Sequence, residues 1–141
     1  MPLDTVLMLV TSYDKLGETG RKTGLHLQEF TEPYYALTDA GWRVHIVSPK
    51  GGNVPIDPGS EPEDIETAPE SVQSYLKDDH AKAALRQSTP VDQIQAENFA
   101  GLFIPGGHGT MWDFPDNPAI SGLVTDMNRL DRPIASVCHG P

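Results

Sequence analysis

The chain has 141 residues, enough for one domain and one hydrophobic core. Apolar residues make up 38% and charged residues 21%, a mixture that excludes a disordered chain. The 20 acidic against 10 basic side chains leave a net charge of −10, which repels phosphate backbones and anionic lipid, so neither nucleic acid nor membrane is expected as a partner.

Met1-Pro2-Leu3-Asp4 carries no basic stretch, and no apolar run approaches the ~20 residues of a membrane span. A cytoplasmic protein without a secretory signal is therefore expected. Val6–Val10 is a continuous apolar run, the pattern of a parallel strand buried on both faces. A polar loop follows through Gly20. Leu25–Asp39 then reads as a helix with Leu27, Phe30, Tyr34 and Leu37 on one face. Pro33 lies inside it and predicts either a kink or a helix that starts nearer the proline. Ala40-Gly41 ends the helix, with Gly41 as its C′ residue.

Trp42–Val47 is the second strand, stopped by Ser48-Pro49, and residues 51–69 read as a long loop rich in Gly, Pro and acids. Ser71–Arg86 is expected to be one helix. Ala100–Ile104 is a third strand, leading directly into Pro105-Gly106-Gly107-His108-Gly109. Pro118–Leu130 is a helix with proline in its first turn, and Ile134–Val137 is a last buried strand. There are no internal repeats and no low-complexity tract. Strands separated by helices predict a single α/β domain over 1–141, a doubly wound, mainly parallel sheet with helices on both faces. In such sheets the sites lie at the carboxyl ends of the strands.

Two glycine-containing turns sit at that rim. In Ile134-Ala135-Ser136-Val137-Cys138-His139-Gly140-Pro141 a small apolar strand delivers the lone cysteine onto a tight turn. Gly140 stands where the backbone must bend, and Pro141 suits the first turn of a helix. This is the pattern of a nucleophile elbow, with the reactive atom standing clear of the sheet. The N-terminus of a following helix would stabilise the thiolate. His139 is a candidate base or ion-pair partner. Away from this context, a lone cysteine at a strand end is simply a small buried residue. One cysteine also closes no internal disulfide and makes no multi-cysteine zinc site.

The second turn, Pro105–Thr110, lets backbone N–H groups approach an oxyanion. It lacks the spaced Gly-Lys-Ser/Thr ending of a phosphate loop. By itself a Gly-Gly pair marks only a turn. His108 would orient substrate or cap the loop, and one histidine is too little for a metal site. Nothing in the spacing distinguishes Glu29 from the solvated Glu32. His26, His45 and His80 read as structural or surface residues.

Taken together, the Val6–Tyr13 strand and loop, Lys22-Thr23-Gly24, Pro105–Asp113 and Ala135–Pro141 resemble the PfpI-like superfamily, which has the class I glutamine amidotransferase-like, flavodoxin-like fold. Within it the chain is similar to the glyoxalase III and heat-shock chaperone branch. That resemblance implies Cys138 as nucleophile, His139 as its partner and Glu29 as a buried carboxyl hydrogen-bonded to the thiolate. It implies oxyanion donors at the backbone N–H groups of Gly107 and His139, with His108 beside the substrate. The implied reaction is glutathione-independent conversion of methylglyoxal to lactate, without metal or organic cofactor, in a homodimer. Relatives of this kind continue past the elbow. The chain therefore reads as the N-terminal portion of such a protein, incomplete at its C-terminus, and a chain truly ending at Pro141 is expected neither to fold stably nor to catalyse. The alternatives are a holdase chaperone using an apolar patch, a redox-sensing thiol, or a cysteine peptidase or amidase. Ser136, where glutamine amidotransferases favour glycine, argues against the amidase.

Overall fold

The structure, a computed structural model, describes residues 3–141; Met1 and Pro2, part of the N-terminal reading above, lie outside it. Five strands form one sheet: β1 (Thr5–Leu9), β2 (Arg43–Ser48), β3 (Thr89–Pro90), β4 (Gly101–Ile104) and β5 (Ile134–Ser136). The order is β3-β2-β1-β4-β5, and all four neighbouring pairs are parallel. Succession runs outward on one side of β1 and resumes on the other, so the switch point lies between β1 and β4.

The apolar run in β1 divides between the two faces, because successive strand side chains point to opposite sides. Met8 and Val10 enter a core with Leu27, Phe30 and Tyr34 of α1 (Leu27–Asp39) and with Val72, Tyr75, Ala81 and Leu85. Leu7 and Leu9 enter a second core with Leu102, Ile104 and the Ile120, Leu123 and Met127 face of α5 (Pro118–Arg129). The doubly wound expectation holds, with helices on both faces.

Pro33 neither starts nor ends α1, which begins six residues earlier at Leu27 and continues to Asp39. Burial of Leu27, Phe30, Thr31 and Tyr34 outweighs the one backbone bond that proline forfeits. Gly41 closes the helix at φ +94, its N–H donating to the Thr38 carbonyl at 3.1 Å, as a C′ glycine should.

The single helix expected over 71–86 is two, α2 (Glu70–Leu76) and α3 (Asp79–Arg86). Asp78 separates them: its carboxylate accepts the Ala81 N–H at 3.0 Å as an N-cap and the Tyr35 hydroxyl at 2.8 Å. Those bonds hold the Asp78 carboxyl below its ordinary range, the Ala81 N–H contributing most. The loop over 51–69 contains two short 3₁₀ turns, Pro58–Ser60 and Ile65–Thr67.

The last strand is a correction. Its apolar composition suggested burial, yet all of β5 is exposed, with Ile134 at 39% and Val137 just beyond it at 38%. The strand is at the sheet edge, so only β4 lies beside it. Among the described residues no helix is long and apolar enough to cross a membrane.

Candidate active site

The loops after β1, β4 and β5 meet at one rim, where Cys138, His139, Glu29, Gly107 and His108 come together. After β5 the chain turns back on itself: the Val137 N–H donates to the Ile104 carbonyl at 3.1 Å, and the Gly140 N–H to Val137 at 3.0 Å. Cys138 occupies the turn at φ +54, a left-handed conformation that costs a residue with a Cβ on the order of 1–3 kcal/mol. A strained, exposed cysteine between two backbone hydrogen bonds is the elbow geometry. Its Sγ lies 3.2 Å from His139 Nδ1. Gly140 is confined, since a Cβ there would stand 2.7 Å from the Ile104 carbonyl oxygen.

Glu29 reaches the rim from the first turn of α1, and its Oε1 accepts the Gly106 N–H at 2.9 Å. A Cβ placed on Gly106 would stand 2.6 Å from both Cys138 Cβ and Glu29 Oε1. Carboxylate and cysteine thus flank one glycine. The direct bond from Glu29 to the sulfur, implied by the resemblance, is not formed: Gly106 engages the carboxylate and His139 the sulfur. Gly106→Ala is expected to destabilise the fold by about 1–3 kcal/mol, the usual cost of overpacking. Denaturant titration would measure it, and an unchanged midpoint would show that the two side chains can part freely.

Gly107 sits at φ +118, where a Cβ would drive into the Gly24 carbonyl. Among the described residues, neither the Gly107 N–H nor the His139 N–H donates to a protein acceptor. Both are therefore free to meet an oxyanion. The His108 ring packs on the His139 ring at 4.8 Å between centroids. His26 stands 3.9 Å from Glu29 Oε2, too far for a hydrogen bond. His45 Nε2 pairs with Thr89 Oγ1 at 2.8 Å, away from the rim. Among the described residues no cluster of three or more His, Cys, Asp or Glu side chains is set to hold a metal ion.

Two supporting residues went unread in the sequence. Thr110, buried, donates its hydroxyl toward the carbonyls of Gly107 (2.9 Å) and His139 (3.0 Å), tying the two turns together. Asp113, in α4 (Thr110–Asp113), accepts from the Ser12 N–H at 2.7 Å and the Thr11 hydroxyl at 2.9 Å, fixing the loop after β1. The only sequence signal for either was membership of the Pro105–Asp113 segment.

Burial raises the Asp113 carboxyl above its ordinary range, against the pull of those hydrogen bonds. A carboxyl raised by folding binds its proton more tightly in the folded state. Its stabilisation is present below the unfolded pKa and is lost as pH rises through the folded value. Asp113→Asn removes that loss. Stability of the variant relative to the parent is expected to improve from about pH 4 toward neutrality, measured by chemical denaturation across pH. A flat difference would refute it.

Comparison with known proteins gives the same architecture. The model of the DJ-1/PfpI family matches residues 22–141. Glutathione-independent glyoxalase hsp3101 of Schizosaccharomyces pombe is 31% identical over 96% of this chain and 56% of its own length. The crystal structure of the 24 kDa Rapid Encystment Protein of Francisella tularensis superposes with a TM-score of 0.87 at 39% identity, over 98% of this chain and 60% of that one. Glyoxalase III of Candida albicans shares the fold, with a TM-score of 0.83 at 22% identity over 97% of this chain and 57% of that one. The chain thus spans little more than half the length of these relatives.

Proposed function

The chain belongs to the DJ-1/PfpI family, and from that premise we propose that it serves the glutathione-independent conversion of methylglyoxal to lactate, with Cys138 as nucleophile. The observation that carries the reading is the strained elbow, with Cys138 at φ +54 and Sγ 3.2 Å from His139 Nδ1. The glyoxalase name of the Schizosaccharomyces relative supports the choice of substrate.

His139 accepts the thiol proton, and the thiolate adds to the aldehyde carbon, C1, to give a hemithioacetal. The N–H groups of Gly107 and His139 hold the oxygen that becomes negative. Glu29 removes the C1 proton, giving an enediol, and returns a proton to C2. C1 is thereby oxidised to a thioester while C2 is reduced to an alcohol, with no external electron acceptor. Water cleaves the thioester, releasing lactate and restoring the thiol.

The test is lactate formation from methylglyoxal by the complete polypeptide without glutathione. One lactate per methylglyoxal is expected, with deuterium at C2 when the solvent is D₂O. Protein that unfolds cooperatively yet forms no lactate would overturn the proposal.

A further inference from the structure

We propose that a chamber beside the elbow receives an anionic tail, so that the preferred substrate is a 2-oxoaldehyde several carbons longer than methylglyoxal ending in a phosphate or carboxylate. The proposal rests on the glyoxalase reading for its reaction but not for its binding site. The chamber, of about 630 Å³, is lined by Leu16, Arg21, Lys22, His26, Asp57 and His108. Spaces of this size hold drug-sized ligands, and a three-carbon dicarbonyl leaves most of it empty.

The loop after β1 supplies its positive wall. The Thr23 N–H donates to the Asp14 carbonyl at 2.9 Å and the Leu16 N–H to Arg21 at 3.0 Å, closing a hairpin in which Lys15 stands opposite Lys22. Like charges placed opposite one another destabilise a strand pair. The hairpin also carries Asp14 and Glu18. Even so, among the described residues Lys15, Arg21 and Lys22 have no carboxylate within 4 Å. Of the 10 Lys and Arg side chains, Arg21 and Lys22 are the two that line this cavity, against a single carboxylate, Asp57.

The acid on that wall is already engaged. Asp57 accepts the Gly59 N–H at 2.8 Å and the Thr23 hydroxyl at 3.2 Å, and its Oδ2 lies 3.6 Å from His108 Nδ1. An anion entering the chamber meets two cations, Arg21 and Lys22, against the one carboxylate of Asp57, whose oxygens are already turned to these donors. His108 joins the chamber to the elbow, because it lines the one and packs on His139 of the other. A carbonyl at Sγ and a charged end between Arg21 and Lys22 describe an extended molecule that passes His108. Leu16 supplies an apolar wall for its carbon chain.

The test compares six-carbon 2-oxoaldehydes ending in hydroxyl, carboxylate or phosphate. Relative to hydroxyl, at least one anionic end is expected to raise kcat/KM about tenfold through KM, the scale of one charge-assisted hydrogen bond. The carboxylate and phosphate arms identify the anion. The preference should fall to near unity in the Arg21→Gln, Lys22→Gln double variant and weaken with salt, and an Arg129→Gln variant should retain it. A second arm needs no turnover: calorimetric binding of glucitol 6-phosphate, glucitol and gluconate to the Cys138→Ser protein. Tighter binding of either anion than of glucitol, lost in the double variant, supports the site. Equal affinities for all three overturn it. Lack of turnover with every aldehyde defeats the glyoxalase reading instead, and the binding arm still decides the anion site.

Discussion

Cys138→Ser is expected to lower lactate formation at least ~10³-fold, the scale seen when a covalent nucleophile is lost. Serine keeps the size and the turn but presents a hydroxyl that stays protonated at neutral pH and attacks aldehydes poorly. Because Cys138 is exposed, unfolding stability should stay within about 0.5 kcal/mol of the parent. The loss is then chemical rather than structural. A variant with at least a tenth of parental activity would remove Cys138 from the mechanism. Suppression of aggregation of an unfolded client protein gives the complementary measurement. If that activity exists and survives in Cys138→Ser, it belongs to a holdase surface and not to the thiol.

Four of the five strands were legible because their signals are local, whereas β3, only two residues long, was not read. The run Val6–Val10 is apolar at every position, and the structure uses the alternate residues for two different cores. The break at Asp78 was equally local but overlooked: an Asp followed three residues later by a buried Ala81 N–H is a cap as readily as a helix surface residue. Ile134-Ala135-Ser136-Val137 has buried-strand composition whether or not a neighbour lies on its far side, so composition alone did not separate a covered strand from the edge strand seen here. The same division runs through the site. The elbow is contiguous, so spacing alone exposes Cys138 and His139. Glu29 meets Gly106 across 77 positions of sequence, and no periodicity in α1 separates it from Glu32. Only resemblance to a family singled it out. Asp57 and Thr110 were invisible for the same reason, their partners being assembled by the fold.

Glu29→Gln should lower kcat by about 10²- to 10⁴-fold, the range for loss of a positioned proton-transfer group. The amide oxygen of glutamine can still accept the Gly106 N–H that Oε1 accepts at 2.9 Å, so the loop after β4 keeps its anchor. What disappears is a group able to take the C1 proton and deliver one to C2. Thiol addition precedes that step, so methylglyoxal should still protect Cys138 from iodoacetamide in the variant, with an unchanged concentration dependence. Deuterium exchange into bound substrate should stop together with lactate release. His139→Gln gives the opposite pattern, because its Nδ1 lies 3.2 Å from Sγ: alkylation itself slows, and turnover falls with it. Near-parental turnover in Glu29→Gln, with turnover and alkylation both lost in His139→Gln, would place both proton transfers on His139. Glu29 would then serve only to hold Gly106, since a single imidazole can take the thiol proton and carry one between the two carbons only if its ring turns between steps.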